Sequence, residues 1–166
     1  MGEALDTVRR MLTAFDEADD VTLRSLLAAD VVLEAPGPVR LTGRDAVADY
    51  SARFLAAFTD LTVRTHVLAE QGEMVVEEYT LVATHAATFT TPTGEALAPT
   101  GRRVSVRVAE VYRVQGGHIT ENRFYFDAAH LYRQLAAEPE PAAEPEPEPV
   151  SASSRPCQLT PPCAEP

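Results

Sequence analysis

Residues 119–135, ITENRFYFDAAHLYRQL, decide the fold, because an aromatic-rich strand runs there straight into a helix. Ile119 to Phe126 carries the β-branched and aromatic content of a strand, and Ala128 to Ala137 places Leu131 and Leu135 on one face of a helix. Asp127 stands at the junction, and strand ends are where folds concentrate chemistry. Two roles suit it. It either caps the last helix, accepting a first-turn N–H for about 1 kcal/mol, or serves as an acid/base at a pocket wall.

Upstream of this segment the hydrophobic period is 2. Strands are expected at about 61–70, 73–86, 102–115 and 118–126, with turns at Gln71-Gly72 and Gln115-Gly116-Gly117. Before Asp60 the period is 3.6. Leu5, Val8, Leu12 and Phe15 mark a first helix, and Asp20 opens a short second one holding Leu23, Leu26 and Leu27. Val31 to Glu34 is a short strand broken by Pro36-Gly37-Pro38, and Thr42-Gly43 opens a third helix with a stripe of Ala46, Tyr50, Phe54 and Leu55 or Phe58. The order α-α-β-α, a four-stranded antiparallel meander and a final helix predicts an α+β fold in which helices pack on one face of a curved sheet, leaving a cone with an open mouth.

Alternation along the strands locates the polar candidates. On the third long strand Glu110 interrupts the apolar row Val104, Val106, Val108, Tyr112 and Val114. It is either a strand-end acid satisfied by Arg113, Arg123 or solvent, or a cavity carboxylate whose pKa burial would raise. On the last strand Glu121, Arg123, Tyr125 and Asp127 share one face, and Asn122, Phe124 and Phe126 the other. Tyr79 and His85 lie on the second long strand with Glu77, Leu81 and Ala83. Met74 to Thr84 is apolar on both faces, so something must cover the outside as well, and a second copy of the same sheet is the economical cover.

Composition bounds the remaining possibilities. The last segment, residues 138–166, holds 9 of the 13 prolines and almost no large apolar side chain, so it is expected to stay disordered beside one domain at 1–137. Setting aside its six Glu and one Arg leaves 19 acids against 13 arginines, a net −6 that opposes binding to nucleic acid or an anionic membrane. There is no Lys, and Cys157 and Cys163 both lie in the tail, which excludes Schiff-base, P-loop and domain-thiol chemistry. Two Cys without His do not make a zinc site. The acidic, amphipathic first residues lack an apolar run, so the cytoplasm is the expected location.

The order of elements, with LTGRDAVADY, ATHAATFTTPTG, APTGRRVSV and the closing FYFDAAHLYRQL, resembles the SnoaL-like polyketide cyclases of the NTF2-like, or cystatin-like cone, superfamily over residues 3–136. The resemblance implies a homodimeric cone whose cavity takes a small hydrophobic molecule and works without metal or organic cofactor. It implies intramolecular aldol chemistry on a hydrophobic carbonyl compound, with the acid/base carboxylate at Asp127 and the Thr84-His85 pair lining the cavity. His85 or Tyr125 would then donate to the enolate oxygen, with Tyr79, Glu110, Tyr125 and Arg123 around the substrate. Related cones use similar carboxylates for double-bond isomerisation or epoxide hydrolysis. A second expectation of another class is a non-catalytic dimeric module whose cavity only binds an apolar ligand.

Overall fold

The computed structural model describes residues 2–91 and 93–136. The Pro/Glu-rich segment with Cys157 and Cys163, and the expectation of disorder attached to it, lie outside the described residues. The chain opens with α1 (Glu3–Asp16) and α2 (Asp20–Leu26), continues through β1 (Leu27–Ala35) and β2 (Val39–Thr42), and enters α3 (Arg44–Ala57). Four long strands follow: β3 (Phe58–Gln71), β4 (Met74–His85), β7 (Arg103–Gln115) and β8 (His118–Phe126). A small ribbon, β5 (Phe89–Thr90) with β6 (Ala96–Leu97), interrupts them, and α4 (Ala128–Ala136) closes the domain. The main sheet has the order β2-β1-β8-β7-β4-β3, antiparallel except where β1 runs parallel to β8.

The expected meander is present. Two small hairpins were not anticipated, and both have local causes. Pro36-Gly37-Pro38 acts as a three-residue hairpin loop, Gly37 taking φ 86°, so that Ala35 pairs with Val39 and the strand turns back on itself. In the β5–β6 ribbon the Thr91 hydroxyl accepts the Glu95 N–H at 3.1 Å and contacts the Thr93 hydroxyl at 3.0 Å, a side-chain turn that hydropathy does not report. Two boundaries also move. Asp19, one residue earlier than expected, caps α2 by accepting the Thr22 N–H at 3.0 Å, and Phe58 begins β3, so the α3 stripe stops at Ala57.

Helices α1 to α3 lie on the concave side of the sheet. Helix α1 buries Ala4, Val8 and Ala14, with Leu5, Leu12 and Phe15 packed beside them, against Val31, Leu33, Val75, Tyr112 and Ile119 of the sheet. A second apolar cluster joins Phe58, Tyr79, Leu81, Val106 and Val108 to Leu131 and Leu135 of α4. The start of α1 has no side-chain cap of its own. Glu70, at the far end of β3, accepts the Gly2 N–H and the Leu5 N–H, both at 3.0 Å, supplying a carboxylate where the helix dipole favours one. A Cβ on residue 2 would lie 2.2 Å from the Glu70 carboxylate, so glycine is what allows the approach. Glu70→Ala should lower stability by about 1–2 kcal/mol, read as a lower denaturant midpoint at unchanged slope.

Candidate functional site: a buried carboxylate cluster in the cone

Inward alternation on β4, β7 and β8 brings the polar groups together. The register pairs Glu77 with Glu110, Val75 with Tyr112, Tyr112 with Asn122 and Glu110 with Phe124. Cross-strand partners share a face at about 5 Å between Cβ atoms. Glu110 is therefore surrounded by inward side chains of its two neighbouring strands. It is 4 % exposed and accepts three hydrogen bonds: a short one from the Tyr79 hydroxyl, one at 2.5 Å from the Tyr112 hydroxyl and one at 3.0 Å from Asn122 Nδ2. Desolvation pushes its pKa up to about 7, against the lowering effect of the bonds from Tyr112, Tyr79 and Asn122, and the neighbouring Glu77 carboxylate raises it further. Burial and the Glu110 charge likewise push both phenols upward, so they remain donors.

Glu77 is the second buried carboxylate. It is fully shielded, its Oε1 accepts the Thr65 hydroxyl at 2.9 Å, and desolvation raises its pKa. These groups line a cavity of about 220 Å³ whose other walls are apolar: Phe15 of α1, Tyr50 and Phe54 of α3, Phe89 of the ribbon, Phe124 and Phe126 of β8 and Tyr132 of α4. The size suits a small ligand. Asp16 also lines the cavity.

The expected site residues separate into two groups. Tyr79 and Glu110 line the cavity. Asp127, Tyr125, Arg123 and His85 do not. The structure corrects the phase chosen for β8: Asn122, Phe124 and Phe126 face the cavity, whereas Arg123 and Tyr125 face outward and Tyr125 is 54 % exposed. The physical reason is that two Phe bury far more apolar area than a face bearing Glu121 and Arg123. Asp127 is exposed and caps α4, accepting the His130 N–H at 2.8 Å with Arg133 at 3.8 Å. His85 is fully buried at the far end of β4, eight residues beyond Glu77, or about 26 Å at a rise of about 3.3 Å per residue. There its ring meets the Thr100 hydroxyl at 3.1 Å and packs against Phe58, while its backbone ties residues 101 and 102 to the strand. Glu77, Tyr112, Asn122 and Thr65 were not assigned a role from the sequence. Glu77 carried the same signal as Glu110, a carboxylate interrupting an inward apolar row.

Among the described residues no helix is long and apolar enough to cross a membrane, and no group of three or more His, Cys, Asp or Glu could hold a metal ion. A family model for the SnoaL-like polyketide cyclases matches residues 5–135, and the chain belongs to that family. No protein of curated function matches the sequence. Among solved structures it is similar to a SnoaL-like protein of Jannaschia sp. CCS1, at 18% identity over 82% of this chain and 94% of that one with a TM-score of 0.74. It is also similar to an NTF2-like protein of Burkholderia pseudomallei K96243, at 22% identity over 82% and 100% with a TM-score of 0.68. An LEH-like epoxide hydrolase of M. tuberculosis shares 26% identity over 80% and 89%, with a TM-score of 0.63.

The cap at Asp127 is directly testable. Asp127→Ala should cost about 1 kcal/mol by denaturant unfolding while Asp127→Asn costs a few tenths, and neither substitution should change ligand binding in the cavity.

Proposed function

We propose that the protein is an acid/base enzyme acting on a small hydrophobic carbonyl compound, with Glu110 as the catalytic carboxylate. One observation carries this reading: a buried Glu with its pKa pushed up to about 7, held by three donors in a cavity with largely apolar walls. A general base works best when its pKa lies near the working pH, and burial has moved Glu110 there. The Glu110 carboxylate takes a proton from the carbon α to the carbonyl, the C–H electrons becoming the C=C of an enolate with its charge on oxygen. In the cyclisation that the family name suggests, that carbon attacks a second carbonyl of the same molecule, a C–C bond forms, and the resulting alkoxide recovers the proton from Glu110. The Tyr79 or Tyr112 hydroxyl, released from Glu110 as it becomes protonated, is placed to donate to the developing oxyanion. The likeness to the epoxide hydrolase supports acid/base chemistry in this cone at the level of class alone.

The test is solvent deuterium incorporation at the α-carbon of 2-tetralone, followed by NMR. The protein should accelerate exchange above buffer, with a rate that rises with pH through about 7 and levels off above it, because only the carboxylate form of Glu110 is a base. Glu110→Gln, which keeps the size of the side chain, should stay folded and lose about 10²- to 10⁴-fold. Exchange that Glu110→Gln leaves intact would remove Glu110 from the chemistry, and a cavity that binds the ketone without exchange would make the protein a binding module.

The reading includes a homodimer formed through the outer face of the sheet. Val67, Val76 and Tyr125, respectively 44 %, 40 % and 54 % exposed, lie on that face beside half-buried Val111. Ion pairs Arg107–Glu78 and Arg113–Glu121 flank them. An apolar strip bordered by paired charges is the pattern of a surface that meets its own copy. Val76→Glu should shift sedimentation toward monomer while the far-ultraviolet circular dichroism is unchanged.

A further inference from the structure

The ring of donors around Glu110 leaves two buried acceptors of the cavity lining unpaired. Glu77 Oε2 and Asn122 Oδ1 are buried without a hydrogen-bond partner among the described residues, and the Tyr112 hydroxyl, bonded to Glu110, is the donor that also acts on Glu77; Glu77 and Asn122 both line the cavity. The donors around the two carboxylates are committed: Thr65 to Glu77 Oε1, and Tyr79, Tyr112 and the Asn122 amide nitrogen to Glu110. Buried polar atoms are ordinarily paired, so two unpaired acceptors on residues that line one cavity call for a ligand that donates hydrogen bonds.

Charge narrows the class. Asp16, Glu77 and Glu110 all line the cavity, and no Arg or His does so among the described residues. Lys is absent from the whole chain. Asp16 on α1 is close enough that its charge acts on Glu77, and Glu77 acts in turn on Glu110. A neutral hydroxyl ligand would satisfy the two acceptors and leave the repulsion between the carboxylates untouched. An anion would add to it. A cation relieves it. A metal ion asks for several ligating groups, and none of the described clusters supplies three. The walls, with Phe15, Tyr50, Phe124 and Tyr132, instead present ring faces of the kind that attract organic ammonium groups.

We propose that the ligand of this cavity is a hydrophobic amine bound as its ammonium ion, with N–H groups donated to Glu77 Oε2 and Asn122 Oδ1 and its apolar body against the aromatic wall. The proposal rests on the Glu110 cavity being the ligand site and adds the substrate class: the carbonyl compound carries a basic nitrogen. The acidic domain, net −6 over residues 1–137, favours arrival of such a cation.

Titration calorimetry of the full chain at pH 8 in 150 mM salt, with 2-phenylethylamine, 2-phenylethanol and phenylacetate as isosteric probes, separates the possibilities. The amine should bind at least tenfold more tightly than the alcohol, and phenylacetate most weakly. Glu77→Gln, which keeps the Thr65 contact available, should bring the amine down to the level of the alcohol while leaving alcohol binding in place. Equal binding of amine and alcohol, preference for the carboxylate, no amine binding, or an amine preference that survives in folded Glu77→Gln would each overturn the proposal. The 2-tetralone exchange assay uses a ligand without nitrogen, so its Glu110-dependent signal stands or falls separately. If that exchange persists while amine preference fails, the ammonium class alone is wrong.

Discussion

Burial of the Glu110 carboxylate is the constraint around which the cone is organised. An ionised or half-ionised carboxyl in an apolar interior is costly unless its lone pairs are satisfied, and here satisfaction comes from β4 through Tyr79, from β7 itself through Tyr112 and from β8 through Asn122. These donors reach Glu110 only when all three strands are in register, since a slip of one residue would turn every inward side chain out. The network thus specifies the sheet at the floor of the cavity. Its burial is also what holds Glu110 near neutrality, so the same desolvation that costs stability makes the group a usable base.

The surrounding apolar shell has two jobs that pull against each other. Val104, Val106, Val108, Leu81 and the aromatic side chains provide the burial that stabilises the domain, yet they stop short of filling the space above Glu110. A close-packed interior would close such a space. Helices α1 and α3 pack on the sheet through small residues such as Ala4, Val8, Val47 and Ala48, while their large residues Phe15, Tyr50 and Phe54 line the cavity.

Much of the architecture was legible in the pattern of residues because alternation at period 2 is regular along β4 and β7, and the family segments agreed with it. The apolar row Val104 to Val114 placed Glu110 on an apolar face, and the structure keeps it there. The phase of β8 was not legible to an argument that followed Asp127, since a carboxylate at a strand–helix junction suits a cap and a catalyst equally. Phe124 and Phe126 carried the deciding information: the face with two Phe turns inward, and the Asp127 face turns out with Arg123 and Tyr125. The contact between Glu77 and Thr65 depends on a register irregularity in β3 between Thr65 and Val67, which no hydropathy pattern announces. His85 shows the converse difficulty, because a buried ring bonded to Thr100 and a ring lining a cavity leave the same mark in a single sequence.

The carboxylate of Glu70 has a consequence for the order in which the molecule comes together. The first turn of α1 takes its hydrogen-bond partner from a residue 68 positions away from Gly2, beyond both other helices of the concave side and at the tip of the β3–β4 hairpin. Closing so long a loop is slow, and its entropy must be offset before the contact rewards it. The α1 residues Glu3 to Asp16 can coil early by local preference, but the amides of Gly2 and Leu5 find Glu70 only once the hairpin exists. One of the earliest stretches of the chain is therefore among the last to be locked, and its amide protection from solvent is tied to the distant hairpin rather than to the helix it begins.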